Sequence, residues 1–122
     1  MRTRFTVTFL IALCAIAVAA VAALAHTEVK STSPARGGKA KTSIRAVRVT
    51  FNQQIRSGTL RVTGPGNKVV SVGKGGRDPR NVRRLAISLK GGLEAGKYRA
   101  RWTIVAADGH DQRGSFSFRL GR

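Results

Sequence analysis

Between residues 44 and 120, apolar and polar side chains alternate in several short runs, the period-2 signature of strands with one buried face. In 44–51, Val47, Val49 and Phe51 fall on one side, Arg48 and Thr50 on the other. Leu60 and Val62 share a face in 59–62, and Leu85, Ile87 and Leu89 alternate with Ala86 and Ser88 in 84–89. Over 97–105, Tyr98, Ala100, Trp102 and Ile104 alternate with Arg99, Arg101 and Thr103. Over 115–120, Phe116, Phe118 and Leu120 alternate with Ser115, Ser117 and Arg119. Weaker strands are predicted at 27–32 and 67–72. Gly64-Pro65-Gly66-Asn67 is a tight turn, and Gly37-Gly38, Gly91-Gly92 and Gly96 mark further breaks. The Gly-rich, basic stretch 73–83 reads as an exposed, mobile loop. A helical period is not evident in any long window of 26–122. The pattern therefore predicts an all-β domain of about seven strands, a Greek-key β-sandwich or barrel.

The first 25 residues follow a different pattern. Arg2 and Arg4 precede an uncharged apolar run over 5–25 that ends in Ala23-Leu24-Ala25. Basic, apolar and small-x-small segments in that order make a secretory signal, with the predicted cut after Ala25. An apolar run of this length can also span a bilayer as an uncleaved anchor, but its Ala-rich second half and Ala-Leu-Ala end favour cleavage. Cys14 follows Leu13 in mid-run, so a lipidated cysteine is not expected. The expected organisation is a signal peptide over 1–25 and one domain over 26–122, periplasmic or extracellular.

Composition narrows the chemistry. The 122 residues carry 23 Lys+Arg against 5 Asp+Glu, with 42% hydrophobic residues, one Cys and one Met. That apolar share supplies a core, so the chain is not a disordered basic tail. Met1 and Cys14 both lie in the signal, so 26–122 contains no disulfide, thiolate or thioether ligand. Phosphate-binding glycine motifs and a nucleophile elbow are also missing. Two histidines remain, His26 at the predicted cut and His110 in Asp108-Gly109-His110. A new N-terminal His offers an α-amine, which ordinarily titrates at about pH 7.7–8.0, and an imidazole, at about 6.5, to one metal ion. Asp108 and His110, two apart, project to one side of an extended chain, and Gly109 lets the backbone bend so that they converge. Two nitrogens from His26, a carboxylate oxygen and a second imidazole suit tetragonal Cu(II). The plainer alternatives are an N-terminal His left by cleavage and a DGH turn in which Asp108 caps backbone amides. Spacing alone does not bring the two ends together.

Five segments resemble, in order, the bacterial copper-resistance CopC family. They are His26 after the Ala-ending signal, Ser31-Thr32-Ser33-Pro34-Ala35-Arg36-Gly37, Val47-Arg48-Val49-Thr50-Phe51, Leu93 through Trp102, and Asp108-Gly109-His110 with Gly114, Phe116 and Phe118. The resemblance implies a small secreted copper-binding domain with an immunoglobulin-like Greek-key topology. It also implies Cu(II) held by the amine and ring of His26 together with Asp108 and His110. A second, Met-rich Cu(I) site known in some relatives is not expected here. The acidic residue often found after the third segment is replaced by Gln53, and the Pro common after the triplet by Asp111. Some relatives are fused to a multi-span membrane protein; this chain stops at Arg122 and is expected to be free and soluble. Trp102 and Tyr98 are expected in the core, Tyr98 in a tyrosine-corner-like turn.

The expected function is copper sequestration, or delivery to a copper-transporting membrane protein, by a monomer. Catalysis is not expected, because nothing marks a substrate platform. Without Arg2 and Arg4 the basic count becomes 21 against 5 acids, a net charge of +16. Such a surface attracts polyanions. Outside the cytoplasm, and without a pattern of stacking aromatics, nucleic acid is not the expected partner. The alternative function is an immunoglobulin-like module that holds an anionic cell-envelope surface through Lys and Arg.

Overall fold

The alternation becomes two β-sheets. The computed structural model describes residues 26–122; the signal segment read over 1–25 lies outside the described residues. Along β3 (Ala46–Phe51), Val47, Val49 and Phe51 are buried and Arg48 is exposed. Leu60 and Val62 are buried on β4 (Ile55–Thr63), and Leu85, Ile87 and Leu89 on β6 (Asn81–Leu89). Every second residue from Tyr98 to Ala106 is buried on β7 (Gly96–Ala106), as are Phe116, Phe118 and Leu120 on β8 (Asp111–Gly121). The predicted strand at 27–32 is β1 (Val29–Ser33). A three-residue β2 (Lys39–Lys41), too short to show a period, and β5 (Ser71–Asp78) bring the number to eight.

One sheet runs β1-β3-β6-β5 and the other β2-β8-β7-β4. All pairs are antiparallel except β2 with β8. The first segment thus serves both sheets, through β1 in one and β2 in the other, as in immunoglobulin-like sandwiches. The sheets stay separate, so the fold is a sandwich and not a closed barrel. Their inner faces form one cluster from Val47 to Leu120, so residues 26–122 hold their own core. Each large apolar side chain in it contributes about 1.5–3 kcal/mol by leaving water. Among the described residues, no helix is long and apolar enough to cross a membrane.

Two local expectations about aromatic packing hold. Tyr98 is buried, its hydroxyl donates to the Glu94 carbonyl at 2.6 Å, and its ring stacks on Phe118 at 5.8 Å. This is the tyrosine corner at the start of β7, and burial raises the Tyr98 pKa. Trp102 meets Phe51 edge-on at 5.0 Å. Its indole lies over Gly114, where an added Cβ would come 2.4 Å from the ring.

The stretch 73–83 is not a loop. It forms the second half of β5, a turn at Pro79-Arg80, and the start of β6. Glycine hid the strand: Gly73 and Gly75 have no side chain to alternate, and both adopt positive φ where the pairing of β5 with β6 bulges. Arg77 also reaches across to the Ile55 carbonyl at 3.0 Å. The strand expected at 67–72 correspondingly begins later, at Ser71, after a 3-10 turn at Pro65–Asn67.

Candidate metal centre

The β7–β8 hairpin ends in the turn that carries Asp108 and His110. Its backbone closes with the Ala106 N–H donating to the His110 carbonyl and the Gly109 N–H to the Ala106 carbonyl, both at 2.9 Å. Gly109 sits at φ +89°, in the region that favours glycine. That bend folds Asp108 back onto its neighbour. Its Oδ1 accepts the His110 N–H at 3.0 Å, and its Oδ2 lies 2.9 Å from His110 Nδ1. Both side chains are exposed at the rim of the sandwich.

This pairing has a direction. With Nδ1 held by the carboxylate, the proton sits on Nδ1 and the Nε2 lone pair is free for a metal. Oδ2 lies on the Nδ1 side of the ring, opposite Nε2, so Asp108 offers an oxygen to the ion that Nε2 holds only by letting go of the ring. The hydrogen bond and charge of Asp108 raise the His110 pKa, with a smaller contribution from Asp111. The bonds to the His110 ring and backbone lower the Asp108 pKa. A positive charge stands nearby: a Cβ on Gly109 would lie 3.6 Å from the Arg56 guanidinium. Asp111 is exposed at the start of β8.

The N-terminal segment is clasped against this end of the molecule. Gln112 Nε2 donates to the Thr27 carbonyl at 3.1 Å, joining residues 85 apart in sequence. On the other side, the Glu28 N–H donates to Asn52 Oδ1 and the Asn52 N–H returns a bond to the Glu28 carbonyl, both at 2.9 Å. Thr27 is buried between these clasps, its Oγ1 without a partner. His26 is therefore the first residue beyond a fixed point, and its side chain is exposed. Asp108 and His110 are brought together; His26 does not join them as a ready cluster, and no three His, Cys, Asp or Glu side chains among the described residues are grouped to hold one ion. Gln53, in the turn after β3, is half-buried beside Asn52. Sequence reasoning did not find Gln112 or Asn52. Their donors and acceptors are common surface groups, and only the fold pairs them with the N-terminal backbone.

The CopC domain family profile matches residues 29–121. The matched span includes Asp108 and His110 and begins three residues after His26. Protein YobA of Escherichia coli strain K12 is 25% identical over 96 residues, which cover 77% of either chain. Copper transport protein CutJ of Bacillus subtilis is 28% identical over 100 residues, 80% of this chain but 18% of that longer protein. Among solved structures, CopC from Methylosinus trichosporium OB3b superposes with a TM-score of 0.64 at 20% identity, covering 78% of this chain and 93% of that one. PcoC, a methionine-rich copper resistance protein from Escherichia coli, gives 0.65 at 24% identity, covering 80% and 100%. Both likenesses bear on the fold.

Proposed function

The chain belongs to the CopC domain family, and from that premise we propose that it is an exported Cu(II)-binding protein that sequesters copper or delivers it to a copper-transporting membrane protein. The observation that carries the reading is the Asp108–His110 pair, turned so that Nε2 is free, at the end of the sandwich where the N-terminal segment is clasped. His26 supplies its ring and, once the signal is cut after Ala25, its amine. Asp108 swings off the ring to supply an oxygen, and His110 supplies Nε2. Nitrogen and oxygen donors without sulfur favour Cu(II) over Cu(I). The amine and imidazoles must be free of protons to ligate, so affinity falls as pH drops through the ordinary amine and imidazole range, from about 8 downward.

A competitive Cu(II) titration of residues 26–122 tests this, with the His26 amine free or acetylated. Tight one-to-one binding that acetylation weakens by orders of magnitude, and that His110→Ala also weakens, is the expected result. Weak binding in both forms overturns it. The role is binding and not turnover; multiple turnovers of hydrogen peroxide by the copper-loaded protein would overturn that part.

A further inference from the structure

The outer face of the β2-β8-β7-β4 sheet carries charge of one sign. Arg61 on β4 lies directly opposite Arg101 on β7. Arg119 on β8 has Lys97 on one side and Lys39 on the other. Arg99 and Arg113 extend the array, and all these side chains are exposed. Of the five acidic residues, Asp111 alone lies in a strand of this sheet, at its metal end. Like charges directly opposed across strands destabilise a sheet. Here no carboxylate is interleaved to relieve them. The other sheet differs: on it Asp78 pairs with Arg84 at 2.9 Å. Between the cations lie hydroxyls, Thr103 beside Arg113 and Ser115 beside Arg101. Arg99 leans onto Ser115 Oγ at 3.0 Å.

We propose that this face docks flat on a membrane surface of anionic phospholipid. Guanidinium groups and hydroxyls match phosphate oxygens, Arg by paired N–H donors. Four strands about 4.8 Å apart, and eleven residues along β7 at about 3.3 Å each, form an extended face, broken by a depression between Arg61, Arg101 and Arg113 that is floored by Trp102 and Gly114. The exposed large apolar residues, Val72 and Val82, are on strands of the opposite sheet. No large apolar side chain protrudes from the docking face, so the contact is electrostatic, reversible and sensitive to salt. Docked this way, the protein keeps the turn bearing Asp108 and His110 at the rim, beside the bilayer. The contact does not depend on copper.

Partition of residues 26–122 onto sedimented vesicles tests the face. Vesicles of phosphatidylcholine mixed equally with phosphatidylglycerol are compared with phosphatidylcholine alone. The protein should bind the first and not the second, and lose binding as salt rises. The triple variant Arg61→Gln, Arg101→Gln, Arg113→Gln should lose about a hundredfold in partition, roughly fivefold per cation. A control with the same loss of charge elsewhere, Lys30→Gln, Arg48→Gln, Lys74→Gln, should lose far less, and unchanged melting of each variant shows that it is folded. His26→Ala should bind vesicles as before, which separates this outcome from that of the copper reading. Equal losses in the two triple variants would mean net charge and not a face. No binding to anionic vesicles, or release by soluble poly(glycerol phosphate) at equal phosphate, would overturn docking on the membrane.

Discussion

At the scale of single residues, the proposed donors are positioned by hydrogen bonds within the fold. Asp108 fixes the His110 ring, and Gln112 fixes the backbone next to His26. The Gln112 bond matters only for a chain whose N-terminus is a ligand, because it limits how far the amine must be ordered. Gln112→Ala should therefore weaken Cu(II) binding about five- to tenfold, the worth of one hydrogen bond. It should leave the weak binding of the acetylated chain unchanged, and paired titrations read the difference. Asp108 and His110 were legible as a pair because they are two residues apart around a glycine. Gln112 was not, because its partner is Thr27, whose distance along the chain is bridged only by the folded sheet.

At the scale of elements, the long strands could be read from alternation because one face of each meets the core. That held for 44–51, 84–89, 97–105 and 115–120. β2 escaped because three residues hold no period, and the β5–β6 hairpin because its glycines have no side chains to place. Two predictions belong here. Tyr98→Phe removes the bond to the Glu94 carbonyl and should cost about 1–2 kcal/mol. Thermal unfolding would register this as a fall of roughly 4–16 °C. In the hairpin, the Arg80 N–H and then the Arg84 side chain lower the Asp78 pKa against the opposing effect of burial. A lowered native pKa means stability that is present above the unfolded carboxyl value and lost as pH falls through the native one. Urea unfolding below about pH 4 should show that loss, and Asp78→Asn should flatten its share of it.

At the scale of the whole molecule, the strong excess of positive charge acts on both readings. The surrounding field, with Arg56 beside the turn, opposes the approach of a dication. Salt screens that field, so Cu(II) affinity should rise severalfold from low to physiological ionic strength, measured with a neutral competitor. Vesicle binding should fall over the same range. One surface thus gives opposite salt dependences for the metal and the membrane, and a single salt series separates them.

The placement of β2 beside β8 also governs how the sandwich answers a mechanical load. The two strands run the same way, near opposite ends of the described chain, with Lys39, Ala40 and Lys41 in register with Arg119, Leu120 and Gly121. The Gly37 N–H to the Ser117 carbonyl at 2.7 Å and the Thr42 N–H to the Gly121 carbonyl at 3.1 Å lengthen the ladder. Tension that reaches this pair from the two ends pulls the strands along each other in opposite senses. Its bonds are then loaded together, in shear, instead of being peeled apart one at a time.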